Sequence, residues 1–257
     1  LIARVLEFVL LVAFVYSQKE HPLKATPAEL RFERSQFFKV LKTAMPVVAS
    51  ESIWALSVAL IYVAYGMLGA AALAVSQVAN VVSEFFQSVF FGVGNASSVI
   101  IGESLGRAQR DLARRQASES LKITMGLNIV MTLVILFMRG PVAAVYGFDA
   151  DTTQLLMSVL FVLAIAMTPK MLCYILICGI LRAGGDTTFC MVVDTIGNVL
   201  VQVPLAFLGV LVFAWPLPWV AALVAMAEGI KDIVCYWRYR SGQWINVLTD
   251  AESVQSA

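Results

Sequence analysis

Four ionisable side chains, Glu51, Glu84, Lys170 and Asp194, stand inside apolar stretches long enough to cross a bilayer. A charge in hydrocarbon is costly, so such residues face the interior of a helix bundle or a water-filled path through it. Counting helix rise from the nearest polar end puts Glu51 about 13 Å deep, Asp194 about 12 Å, Lys170 about 18 Å and Glu84 about 21 Å. All four depths fall in the middle portion of a hydrocarbon core about 30 Å thick. The chemistry open to them is ion exchange. A carboxylate in a low-dielectric site can release and take up a proton near neutrality, and Na+, a hard cation, takes oxygen ligands. Glu51 is therefore the first candidate for a site where a proton or Na+ competes with a cationic substrate. The alternative reading of Glu51 is a permanent ion pair with Lys170, since buried pairs also occur as structural features.

Further polar groups accompany these charges. Gln77, Asn80, Glu84 and Gln87 recur at spacings of three and four, which places them on one helix face. A stripe of this kind cannot face lipid, so it lines a cavity or bonds to neighbouring helices. Asp194 and Asn198 form an i, i+4 pair ahead of Pro204, with a structural role and ion binding both open. Cys173, Cys178, Cys190 and Cys235 lack metal-ligand spacing and read as small buried apolar residues. GVGNAS at 92–97 follows no strand, so it is not a dinucleotide-binding loop.

The elements that must hold these residues are helices. The chain is 60% hydrophobic and only 14% charged, against about a quarter charged in soluble domains. Its net charge of +1 gives no field for nucleic acid, and no nucleic-acid partner is expected. Residues 17–36 are polar and hold two prolines and the lone His21. Six apolar segments follow, at about 37–66, 70–105, a third ending near 139, 152–182, 187–213 and 217–238. A basic stretch, 107–122, reads as a linker between the second and third. Alternating these spans puts Lys19, Lys24, Arg31, the 107–122 cluster, Arg182, Lys231, Arg238 and Arg240 on one side, which the positive-inside rule makes cytoplasmic. In the loop 182–187, Arg182 suits the negative end of a helix, Gly184 or Gly185 its left-handed cap, and Asp186 the next N-cap. Pro216 and Pro218 suit the first turn of the last span. Trp237, Tyr239 and Trp244 read as an interfacial aromatic belt, and Glu103, Glu228 and Asp232 as solvated or paired near the cytoplasmic ends.

Four stretches in this order carry a resemblance: MPVVASESIWALSVALIYVAYGMLG, GVGNASSVIIGESLGRAQRDLARRQA, ICGILRAGGDTTF and IKDIVCYWRYRSGQWINVLT. Over about residues 1–249 the chain resembles the multidrug and toxic compound extrusion (MATE) family, whose members have two six-helix lobes. The resemblance is to the second lobe preceded by the last helix of the first. It implies export of organic cations in exchange for Na+ or H+, with half of the central cleft outside this chain. Some family branches carry a carboxylate on the helix of Glu51, and some a second acid where this chain reads Thr168-Pro169-Lys170-Met171. That lysine reads either as an internal counter-cation displaced from Glu51 by substrate or as a permanent neutraliser.

The expected fold class is an all-α integral membrane protein: a six-helix transmembrane lobe preceded by one additional, truncated transmembrane helix. The expected divisions are 1–16 (end of the amino-terminal lobe), 17–36 (cytoplasmic linker), 37–240 (the lobe) and 241–257 (cytoplasmic tail). The expected function is secondary active antiport without enzymatic activity or a cofactor beyond the coupling ion. A lipid-linked precursor flippase and a non-transporting membrane scaffold are the alternatives. Expected partners are membrane lipids, organic cations and the missing amino-terminal lobe, in a plasma-membrane, multi-pass setting. No firm metal site is expected, although Na+ is possible at Glu51.

Overall fold

The structure is a computed structural model that describes residues 2–17 and 34–245. It consists of helices joined by short turns. The chain divides into two units, Leu1–Met45 and Pro46–Ala257. The first contains helix α1 (Ile2–Ser17), whose surface carries an exposed Arg4–Glu7 pair at 2.8 Å, and the opening turns of α2 (Arg34–Gly66). Most of the expected linker and tail lie outside the described residues.

The second unit holds the rest of α2, then α3 (Ala70–Gly106), α4 (Arg110–Val145), α5 (Ala150–Leu181), α6 (Thr187–Val212) and α7 (Leu217–Ser241). Five helices among the described residues are long and apolar enough to cross a membrane, beginning with Val48–Gly66 of α2 and ending with α6. The last, α7, has the length for a span but carries Glu228, Lys231, Asp232, Arg238 and Arg240. The basic stretch is not a linker: only Arg107–Gln109 break the chain, and the remaining residues wind as the first turns of α4. That helix also passes the expected end near residue 139 and continues through Pro141 to Val145.

Helix α5 is the centre of the lobe, packing on α3, α4 and α7. Asp149 starts it by accepting the backbone N–H of Thr152, which satisfies one of the free amides of a first turn. Its middle buries Leu156, Leu160, Ala164, Met167 and Met171. The close α3–α5 crossing is permitted by Gly94, where a Cβ would lie 2.6 Å from the ring of Tyr174. Helix α2 joins the core through Ile61 and Ala64, against Ala206 and Val210 of α6 and Val220 of α7.

Three segments are wound more widely than an α-helix: Ile175–Leu181 at the end of α5, and Ile196–Gln202 and Leu208–Val212 within α6. The Arg182 N–H accordingly donates five residues back to Ile177 at 3.0 Å. Such π-turns are uncommon and concentrate at functional positions. Here Ile177 and Cys178 of the first segment border one cavity, and Gln202 of the second borders another.

Candidate functional site

The end of α5 sets the geometry. Gly185, at φ +87°, turns the chain toward α6, and Gly184 packs beneath Trp244. Arg182 does not stay at the helix end as a dipole partner. Its side chain runs inward, and Nη1 donates to Glu51 Oε1 at 3.1 Å while Nη2 donates to Asp194 Oδ2 at 3.4 Å. Asp194 in turn lies 3.8 Å from Lys231 Nζ, which pairs with Glu228 at 2.8 Å and donates to Asn198 Oδ1 at 3.0 Å. Gln202 Nε2 donates to Glu228. The result is a chain of alternating charge, Glu51–Arg182–Asp194–Lys231–Glu228, drawn from α2, α5, α6 and α7.

Glycine 197 makes room for it. A Cβ there would meet Lys231 Cδ at 2.3 Å, so the bare backbone of α6 is what lets the lysine stem cross it. Burial grades along the chain. The Glu51 side chain is 55% exposed, Asp194 and Glu228 are each 17% exposed, and Lys231 is 7% exposed. The open end at Glu51 faces a cavity of about 520 Å³, lined also by Trp54, Gln87, Phe91, Asn95, Lys170 and Tyr174. Phe91 and Tyr174 give it an aromatic wall, their ring centres 4.7 Å apart. A second cavity of about 200 Å³, bordered by Tyr62, Tyr65 and Asn80, shares Trp54, Lys170 and Glu228 with the first.

The lining charges balance. Glu51, Asp194 and Glu228 supply three carboxylates, Arg182 and Lys231 two cations, and Lys170 the third. Lys170 takes part in none of the ion pairs of the described residues, and it lies half-buried at the junction of the two cavities. The expected alternative of a Glu51–Lys170 pair is replaced by Glu51–Arg182. Asp194 and Asn198 do share a face, and both meet Lys231. Among the stripe residues, Gln87 is buried at the larger cavity, donating to Ser83, and Asn80 borders the smaller one. Asn80 also donates to Glu84 at 3.0 Å, yet Glu84 and Gln77 stand on the exposed surface of the lobe.

Other expectations change as well. Asp186 makes no side-chain cap bond to α6, because its carboxylate accepts from Arg238 Nε at 2.7 Å. Trp244 is 0% exposed rather than interfacial, with Nε1 donating to the Tyr239 carbonyl at 3.1 Å. Trp237 does remain exposed. All four cysteines are free thiols, three of them buried. Among the described residues no group of three or more His, Cys, Asp or Glu could hold a metal ion. Sequence reasoning passed over Arg182, Glu228 and Lys231 as members of the site. The i, i+3 spacing of Glu228 and Lys231 is the signal the sequence offers.

Comparison with known proteins agrees with this architecture. The chain is 22% identical over 245 residues to the uncharacterized transporter YisQ of Bacillus subtilis, covering 95% of this chain and 53% of that one. It is 26% identical over 143 residues to the human multidrug and toxin extrusion protein 1, covering 54% of this chain and 24% of that protein. The chain thus spans about half the length, or less, of these relatives. A crystal structure of MATE in complex with MaL6 superposes with a TM-score of 0.77 at 13% identity, over 93% of this chain and 55% of that one. An outward-facing multidrug resistance MATE transporter of the MOP superfamily gives 0.75 at 13% identity, over 93% and 54%. At such identities the likeness is one of fold. The MatE family model matches residues 46–208, more than half the chain, so the protein belongs to the MatE family, the multidrug and toxic compound extrusion transporters.

Proposed function

We propose that this chain is one six-helix lobe of a secondary active exporter that moves organic cations out of the cell in exchange for Na+ or H+. The observation that carries the reading is the exposed end of the charge chain. Glu51 has one carboxylate oxygen on Arg182 and opens into an aromatic-walled cavity inside apolar helices. A proton, Na+ or a substrate cation reaching Glu51 competes with Arg182, whose other bond, to Asp194, keeps the guanidinium paired when Glu51 is taken. An antiporter needs this: two cations whose occupancy of one site is mutually exclusive, with no charge left stranded.

The exposed Gln77 and Glu84 face the other lobe of the full-length polypeptide in this reading, completing the central cleft. The basic ends of the helices lie in the cytoplasm and the lobe sits in the plasma membrane. A flippase for a pyrophosphate-linked precursor calls for a cationic cleft, whereas the lining here balances three acids with three bases. A scaffold calls for permanent pairing of every buried charge, which Lys170, in none of the ion pairs of the described residues, does not meet.

The test is efflux of a cationic dye from cells carrying the full parent gene, under imposed Na+ and H+ gradients, with and without Glu51→Gln. Efflux that follows one gradient and disappears in the variant at equal membrane levels supports the reading. Gradient-driven efflux that persists in Glu51→Gln removes Glu51 from the site.

A further inference from the structure

On the opposite side of α7 a long groove runs along α4. Its section nearest the basic helix ends, about 790 Å³, is bordered by Arg114, Lys122, Arg240, Ser118 and Tyr239. The adjoining section, about 710 Å³, is bordered by Leu172, Leu176, Asp232, Ile233 and Trp237. Leu121, Met125, Tyr236 and Arg240 line both, so the two sections form one continuous channel. It opens outward: Met125, Tyr236, Ile233 and Trp237 are all exposed on the surface of the lobe.

Arg114 and Lys122 line the first section alone, Arg240 lines both, and one acid, Asp232, lines the second. Arg114 lies 3.8 Å from Asp111 and Lys122 pairs with Glu119 at 2.8 Å, but both acids are exposed and neither lines the groove. Arg240 belongs to none of the ion pairs of the described residues. Arg114 Nη2 is held over Gly242, where a Cβ would approach to 3.3 Å, and Gly242 ends α7 in the left-handed conformation at φ +70°. Three cations therefore line the head of a channel whose remaining lining is apolar or aromatic apart from Asp232.

We propose that this groove binds one anionic phospholipid, its phosphate among Arg114, Lys122 and Arg240 and an acyl chain along Leu121, Met125, Leu172 and Leu176. Each Lys or Arg near a membrane surface strengthens attraction to anionic lipid about fivefold, and acyl burial adds to it with every methylene. Free phosphate satisfies the head of the groove alone and leaves the apolar section without an occupant, so the two-part lining selects a lipid. The site stands apart from the transport cavity and does not depend on the substrate or the coupling ion.

Native mass spectrometry of the full-length transporter, with equimolar dioleoyl phosphatidylglycerol and phosphatidylcholine, tests it. The parent is expected to retain phosphatidylglycerol preferentially. The triple variant Arg114→Gln, Lys122→Gln, Arg240→Gln is expected to retain one phosphatidylglycerol fewer, that site weakening about tenfold or more. A second variant, Leu172→Trp, narrows the section that lacks Arg114 and Lys122, the only one Leu172 lines, and is expected to lose the same lipid. Thermal melts followed by circular dichroism establish that each variant is folded. Equal retention of the two lipids by the parent, or an unchanged phosphatidylglycerol count in both variants, overturns the proposal. Displacement of the lipid by excess inorganic phosphate overturns it in favour of a phosphate site.

Discussion

Arg182 Nη1 lies 3.1 Å from Glu51 Oε1, joining two residues 131 positions apart in the chain. The guanidinium reaches Glu51 and Asp194 together, which fits a planar group with several donors in fixed directions. The pair links the last turn of α5 to α2, so the most exposed carboxylate of the charge chain is tied to its most buried part through one side chain. Removing Arg182 takes the guanidinium from both Glu51 and Asp194, whereas removing Glu51 leaves it on Asp194.

Among the described residues Lys170 is the cavity cation that pairs with no carboxylate, so it repels a cationic substrate without holding a structural pair. Lys170→Gln is expected to lower the KM for a cationic dye several-fold, with protein levels and thermal midpoint little changed. The measurement is dye efflux against concentration in vesicles. A raised KM would show instead that the ammonium supports the site.

Gly197→Ala places a Cβ 2.3 Å from Lys231 Cδ and forces the lysine off Asn198 and Asp194. The expected cost is about 1–3 kcal/mol, seen as a lower thermal midpoint in detergent. Gly229→Ala is the control. It sits inside α7 with nothing within 4 Å of the added atom, and is expected to be neutral or to stabilise by about 0.4–1 kcal/mol. Equal melting of the two variants would contradict a role for Gly197 in seating Lys231.

Trp244 closes the lobe at the same end. It lies against Gly184, two residues after Arg182, while Arg238 holds Asp186 from the same direction. Truncating a fully buried tryptophan costs about 3–5 kcal/mol. Trp244→Ala is therefore expected to melt earlier and to expose the 182–186 turn to trypsin at Arg182. Unchanged cleavage kinetics would separate the C-terminal turn from the loop it covers.

Asp149 lies in the turn between α4 and α5, and its bond from Thr152 holds its carboxyl below the ordinary aspartate value. A depressed folded-state value contributes stability that is present above the unfolded value and is lost as pH falls through the folded one. The melting difference between the parent and Asp149→Ala is expected to be constant near neutrality and to shrink below the ordinary carboxylate range. A difference independent of pH would mean that the charged cap contributes nothing.

The spans of α5 and α6 were legible in the sequence to within two residues, because long apolar runs and the glycines and aspartates between them mark helices directly. The candidate site was legible only in part. Glu51, Asp194, Asn198, Lys170 and Gln87 stand out as polar groups deep in apolar helices. Arg182 does not, since counting residues along one helix gives the depth of a backbone position and not where a long side chain ends. Glu228 and Lys231 read as helix-end groups for the same reason, standing in α7 on the side of Asp232, Arg238 and Arg240. Nor does the sequence show that Ile175–Leu181 and Ile196–Gln202 wind as π-turns, which displaces the faces expected from an α-helical period. Trp244 read as interfacial because aromatic residues beside arginines usually are. Its burial depends on the gap left by Gly184, more than fifty residues earlier.

The most direct measurement is a double-mutant cycle on gradient-driven dye efflux with Glu51→Gln, Arg182→Gln and the two combined, at matched membrane levels. If the pair works as one unit in transport, each single variant loses at least about tenfold in rate and the double is no worse than the weaker single. Single variants that both keep the parent rate would contradict the placement of the transport site at this pair.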